Sequence, residues 1–376
     1  MFGFFAQCVE VYCDLAGIKA DSLKKVATPG MDDHQLKPED FETEGSLSKD
    51  AAKIIMKALY GARLVRFELL WPICSSARNV SKWTRACDKR LHRLMCYIHH
   101  TPEHSLESYV GDNAEDCHPV LFSDADFAGD IIQAKSTSGL YLAIVGPNTF
   151  APVTASCKKQ TCVSHSSTES EIVAAEQGIR CEGLQVLAFW ELVTELLGSK
   201  ADQKAEMQKR EKIAKPGALE INPYSERFGP GKYFAYTRKP KTSTVLIVAE
   251  DNEAVIKIVK KARSMSLRHL PRTHRIDVNW LFEVCANPQV RMLYVNTKQQ
   301  CADLMTKSIN SPPVWEHLLD ITQIRAGITS PAGTAACSAL LAAPPGLALP
   351  IHLACCSSCG FNITGAQGAS CPCKWN

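Results

Sequence analysis

Net charge is scarce in this sequence: 42 Lys and Arg against 39 Asp and Glu leave only +3 over 376 residues. That excludes a bulk field strong enough to draw the chain to nucleic acid, so any basic surface has to come from local clustering. A secretory leader is also missing. Met1 to Lys19 starts apolar, but it has no basic n-region and carries Glu10 and Asp14 where an apolar h-region belongs. Long apolar runs are few. The stretch from Ala335 to Cys356 comes nearest, yet Pro344, Pro345, Gly346 and Pro350 interrupt it and His352 sits near its end. A membrane span needs roughly 20 continuous helix-compatible residues. Regular cysteine spacing is absent too: the 17 cysteines are an odd number scattered through apparent helices, strands and tail. That excludes a small secreted disulfide scaffold and points to a reducing compartment. What is present, 45% hydrophobic and 22% charged residues, is ordinary globular composition with length for two or three domains.

Residues 30–49 are polar and acidic without periodicity and read as a linker. Helical patterning begins at Ala51, and the clearest helix is expected from Ser81 to Ile98, where Trp83, Cys87, Leu91, Leu94 and Ile98 recur at spacings of three and four. On a neighbouring face Lys82, Arg85, Lys89 and Arg93 keep the same spacing. This stripe is either the solvated side of a packed helix or a set of phosphate contacts.

A different pattern begins near Pro119. Val120–Ser123, Gly139–Val145 and Phe150–Ser156 read as three strands, and a helix follows from Ser167 towards Trp190. Residues 199–243 turn lysine-rich and then Gly/Pro/Tyr-rich, as an insertion would. Val245–Ala249 is a five-residue apolar run typical of a buried central strand. A helix from Asn252, another from Ile276 to Cys285, a strand at Val290–Val295 and a short helix near Gln300 complete the order β-β-β-α-β-α-β-α. Beyond Arg325 the chain becomes rich in Ala, Ser, Pro, Gly and Cys, an irregular tail.

Four acids fall where this order gathers them: Asp124 after the first strand, Glu171 in the first helix, Asp251 after the central strand, and Asp303 at the last helix. Carboxylates crowded together repel, and divalent cations between them are the usual means of keeping several ionised. An all-oxygen set favours Mg²⁺ or Mn²⁺ over zinc, and two such ions can drive phosphodiester hydrolysis.

Around these acids the motifs become specific. Ser123-Asp124-Ala125-Asp126-Phe127-Ala128-Gly129-Asp130, with Lys135-Ser136-Thr137-Ser138-Gly139, resembles the opening of the ribonuclease H domain of copia-type LTR retrotransposons. Lys158-Lys159-Gln160 followed by Ser166-Ser167-Thr168-Glu169-Ser170-Glu171 is similar to that family's second block. Asp251-Asn252-Glu253-Ala254 resembles its third and Gln300-Cys301-Ala302-Asp303-Leu304-Met305-Thr306-Lys307 its last. Arg272-Thr273-His274-Arg275-Ile276-Asp277 resembles the Arg/His segment between them, and Tyr60-Gly61-Ala62 through His104 the connection region upstream. The likeness runs in order over roughly residues 50–325.

The resemblance implies an α/β fold with a ribonuclease H-like mixed sheet. It divides the chain into an N-terminal remnant (1–50), a helical connection region (51–115), the sheet domain (116–325, with the 199–243 insertion) and the tail (326–376). It makes Asp124, Glu171, Asp251 and Asp303 catalytic ligands of two Mg²⁺ or Mn²⁺ ions, with Asp126 and Glu169 as alternatives two residues away. It also implies hybrid contacts from Lys82, Arg85, Lys89, Arg93, Lys135, Ser136, Lys158, Lys159, Gln160, Arg272 and His274. The activity expected is cleavage of the RNA strand of RNA/DNA hybrids, beside a polymerase from the same element, in a cytoplasmic virus-like particle or the nucleus, without secretion or membrane insertion. The chain departs from the family at Phe127, Ala134 and Ile172, where tryptophan, arginine and tyrosine are usual. A catalytically inactive nucleic-acid-binding remnant is the alternative. An integrase would order its acids Asp, Asp, Glu, unlike this chain.

Other features carry less. Asp32-Asp33, flanked by Pro29-Gly30 and Pro38, does not fit the apolar hairpin of a polymerase pair. His99, His100 and His104 have no acid or cysteine at ligand spacing. Cys356 and Cys359 form a ligand-like pair, but Cys371 and Cys373 are too close for a familiar zinc knuckle.

Overall fold

The computed structural model describes residues 3–31, 33–130, 133–197, 244–262, 264 and 267–326. The expected insertion at 199–243 and the tail cysteines lie outside the described residues. The chain divides into two compact units. The first takes the described residues up to Glu107, Thr154–Lys158, and those from Cys301 onward. The second takes Ser108–Val153 and the described residues of Lys159–Gln300.

The first unit is helical. Helix α1 (Phe4–Ala16) buries Phe5, Cys8, Val9, Tyr12 and Cys13 and stops at Gly17, whose left-handed backbone lets its N–H reach the Asp14 and Cys13 carbonyls. After the short α2 (Pro38–Glu42) come α3 (Ala51–Val65), α4 (Leu70–Ala77) and α5 (Arg85–His100). The interior is apolar, with Ile54, Ile55, Ile73 and Leu91 sealed from water. Each such side chain contributes about 1.5–3 kcal/mol by leaving solvent. One buried ion pair interrupts it: Arg66 faces Glu68, and its remaining donors go to the carbonyl and hydroxyl of Thr101, both at 2.9 Å. A buried charge is tolerated when paired and hydrogen-bonded in this way.

Region 30–49, a linker by composition, is tied down in this unit. Asp88 of α5 accepts from Ser46 N (2.5 Å), Ser46 Oγ (3.0 Å) and Trp83 Nε1 (2.7 Å), and Leu36, Leu47 and Asp40 are buried. These contacts come from residues distant in sequence, so local periodicity carries no trace of them. The segment after Cys301, expected in the sheet domain, belongs to the helical unit. There β1 (His104–Leu106) pairs antiparallel with β7 (Ile324–Ala326), and Trp315 Nε1 donates to Tyr97 Oη at 3.2 Å.

The second unit is a mixed α/β layer. Its sheet among the described residues runs β4 (Thr149–Lys159), β3 (Thr137–Gly146), β2 (His118–Asp126), β5 (Leu246–Glu250), β6 (Val290–Tyr294). β2 is antiparallel to β3 and parallel to β5, and β5 is parallel to β6. A strand covered on both faces needs apolar residues throughout, and Val120, Leu121, Phe122, Val248 and Ala249 satisfy that. One face is packed by α6 (Ser167–Gly178), α8 (Glu253–Lys261) and α10 (Val278–Ala286), which bring Ile172, Val255, Val259 and Leu281 onto Leu121, Leu140, Leu246 and Val248. The short α9 (Leu270–Thr273) precedes α10. α6 passes through a π turn at Ile179–Gly183 into α7 (Leu184–Leu197). Its approach to the sheet requires glycine: a Cβ on Gly178 would lie 2.7 Å from Leu140 Cδ2.

Candidate metal centre

Strand register sets the site. Phe122 of β2 stands opposite Ala249 of β5, so Asp124 and Asp251 each lie two residues beyond the same pair, at one edge of the sheet. Asp124 is inside β2, opposite Gly139 of β3, rather than after its end. α6 supplies the third acid. Ser166 caps it by accepting from Glu169 N at 3.1 Å, which fixes where the helix begins, while Ile172 and Ala175 seat it on the sheet. Glu171 is thereby carried to the two strand acids.

Oxygens of Asp124, Glu171 and Asp251 all come within 4.8 Å of one another. Asp124 and Glu171 are buried, at 5% and 6% exposure, and Asp251 is half-buried. Burial pushes the Glu171 carboxyl up to about 11, and repulsion from Glu250, Asp124 and Asp251 adds to it against one N–H from Ala125. Its Oε2 is buried with no hydrogen-bond partner. An orphaned buried oxygen facing two other carboxylates is what a hard cation would satisfy, and an all-oxygen donor set fits Mg²⁺ or Mn²⁺.

Glu250, a fourth acid here, was missed by the sequence argument although it precedes Asp251. It is fully buried and accepts from Ser123 Oγ and Asn252 N, both at 3.2 Å. Burial, then the neighbouring Asp251 and Asp124, hold its carboxyl well above the usual range. A signal was available: alternation along β5 puts Glu250 on the face of Leu246 and Val248, which is inward.

The two alternative acids separate from the cluster. Glu169 Oε2 accepts from His165 N at 3.0 Å, and its Oε1 lies 3.1 Å from His269 Nε2 and 3.2 Å from His274 Nε2. Asp126 ends β2 half-buried, where its Oδ2 would clash with a Cβ on Gly129. Asp303 belongs to the first unit, in the turn Cys301–Met305, where its carboxylate accepts from Lys307 Nζ at 2.7 Å.

Several expected nucleic-acid contacts are engaged within the protein. Lys89 bonds Asp40 at 2.5 Å, and Arg93 donates to the Thr28 carbonyl and hydroxyl at 3.1 Å, while Lys82 and Arg85 are exposed. Gln160 is buried, donating to Ser138 Oγ (3.0 Å) and the Ser170 carbonyl (2.9 Å). Ser136 is buried and accepts from Ala128 N, and Lys159 pairs with Asp130. His274 is buried beside Glu169; Lys158 and Arg272 are exposed and Lys135 half-buried.

His99 and His100 stack edge-on, and the His100 ring meets the Cys96 carbonyl at 2.9 Å. Among the described residues the Asp124 group is the one set of three or more His, Cys, Asp or Glu side chains with ligand atoms this close. No described helix is long and apolar enough to cross a membrane.

Compared with known proteins, the chain matches no family model, no curated protein and no solved structure.

Proposed function

We propose that the second unit is a divalent-cation-dependent phosphodiesterase of ribonuclease H type, cutting the RNA strand of RNA/DNA hybrids during reverse transcription of a retroelement. The observation that carries this reading is the buried triad of Asp124, Glu171 and Asp251, with the unpartnered Glu171 oxygen directed among carboxylates. The strand order, with the first acid on a central strand antiparallel to one neighbour and parallel to the next, agrees with the order expected for that fold.

Asp124, Glu171 and Asp251 are the residues to hold Mg²⁺ or Mn²⁺; Asp303 joins them only through the sequence resemblance. A pair of such ions supplies an activated water and balances charge on the departing oxygen. The protein's contribution is positioning. The Ala125 N–H holds the Glu171 carboxylate, and Ser123 Oγ and Asn252 N fix Glu250 behind the strand ends. Burial of these groups in a water-poor edge strengthens every charge interaction there. Selection of the RNA strand would rest on its 2′-hydroxyls and the groove shape of the hybrid.

The test is cleavage of an end-labelled hybrid by the full chain with Mg²⁺ or with a chelator. Cleavage of the RNA strand alone, dependent on metal, is expected. Hybrid binding without cleavage, together with a normal Mg²⁺ response of the fold, would reduce the protein to a nucleic-acid-binding remnant of such an enzyme.

A further inference from the structure

Away from the acids, the first unit pairs two thiols that the reading above leaves unused. Cys74 sits in α4 and Cys157 in the part of β4 that belongs to this unit; both are half-buried and unbridged. Cys157 donates its S–H to the Cys74 sulfur. Arg78, at the end of α4, reaches over the pair: its Nη2 lies 3.6 Å from Cys157 Sγ, and its backbone N–H bonds the Cys74 carbonyl at 3.2 Å. Two thiols in contact beside a guanidinium combine a nucleophile, a partner to resolve it and a cation that stabilises the thiolate. Most of the other described cysteines are buried without that combination; Cys8, Cys285 and Cys301 have thiols pushed up by burial.

We propose that Cys74 and Cys157 form a peroxide-reactive dithiol, with Cys74 as the attacking sulfur and Cys157 as the resolving one. The direction of attack follows from the hydrogen bond. The S–H given by Cys157, then the charges of Arg78 and Arg63, draw the Cys74 thiol below its ordinary value, while the same contact and burial hold Cys157 well above it. In the first step the Cys74 thiolate attacks hydrogen peroxide. An S–O bond forms, the O–O bond breaks, and hydroxide leaves, giving a sulfenic acid. In the second, the Cys157 sulfur displaces that hydroxyl as water, its proton leaving with it. The two sulfurs are oxidised by two electrons in total and one peroxide is reduced to two waters. A thiol such as glutathione, in two successive exchanges, returns the pair to the reduced form.

The experiment uses the full chain, reduced and then exposed to stoichiometric hydrogen peroxide, quenched by thiol alkylation and mapped by peptide mass spectrometry. A Cys74–Cys157 linked peptide is expected to appear at least about tenfold faster than Cys181, an exposed thiol without such a partner, loses its free form. Cys157→Ser should stop at a Cys74 sulfenic acid that dimedone traps, and Cys74→Ser should leave Cys157 reduced. Circular dichroism of both variants, with serine close in size to cysteine, checks that they fold. Equal rates at Cys74 and Cys181, a different disulfide partner for Cys74, or dimedone trapping at Cys157 instead would overturn the assignment.

Discussion

Replacing Glu171 with glutamine separates the two demands placed on that side chain, because the amide keeps the shape and loses the charge. In the metal-free protein the carboxyl titrates at about 11, raised first by burial and then by Glu250, Asp124 and Asp251. Removing its proton at pH 7 takes on the order of 5 kcal/mol, which a bound cation has to supply. The sign for stability follows. Folded, the group keeps its proton up to about 11; unfolded, it loses it near the ordinary value of 4.5. Between those limits the folded state binds more protons, so the stability contribution is complete below 4.5 and declines as pH rises. At about 1.4 kcal/mol per pH unit for one proton, the parent should lose about 3 kcal/mol between pH 6 and 8 relative to Glu171→Gln. Urea unfolding of both proteins in chelator at the two pH values reads this directly. Added Mg²⁺ should then stabilise the parent, more at pH 8 than at pH 6, and leave the variant nearly unmoved. Hybrid cleavage should fall at least about a hundredfold in the variant, as lost charge stabilisation on the order of 3 kcal/mol requires. Parallel pH dependence in chelator, or an equal Mg²⁺ response in both proteins, would refute the account of Glu171.

Glu169→Gln should retain the Mg²⁺ response and cleavage, since Glu169 bonds His165 N and faces His269 and His274 rather than the triad; a shared loss with Glu171→Gln would move the assignment. Arg93→Ala should lower stability by about 1–2 kcal/mol through its two bonds to Thr28 and leave the salt dependence of hybrid binding unchanged, whereas charge reversal of exposed Lys82 and Arg85 should reduce that slope; titrations at several salt concentrations distinguish them. Gly178→Ala should destabilise by about 1–3 kcal/mol in thermal or urea unfolding because its methyl meets Leu140 at 2.7 Å.

The parts legible in the sequence were those whose physics is local. Val120–Ser123 and Val245–Ala249 announce central strands because burial on both faces leaves no room for polar residues, and they anchor Asp124 and Asp251. Ser166 and Glu169 announce a helix start by their capping spacing, which in turn orients Glu171. What stayed hidden depends on partners far along the chain. Lys89 and Arg93 share their spacing with a phosphate-binding face, and only Asp40 and Thr28 reveal that they hold a loop in place. The helix at Pro312–Ile321 and its Trp315 joined the helical unit through Tyr97, 218 residues away, which no periodicity encodes.

The parallel pairing of β2 with β5 also governs when the acid cluster can exist during synthesis. Ser123 and Glu250 are 127 residues apart, and three strands and two helices intervene or adjoin them in the finished sheet. A nascent chain that has produced β2, β3, β4 and α6 can form the antiparallel hairpins and dock Glu171 near Asp124, yet it lacks Asp251 until β5 emerges. Long-range parallel pairing is slow to close, so the last carboxylate arrives late on the folding path as well as late from the ribosome. A chain cut short before residue 246 would therefore expose the β2 edge and hold two acids without the third.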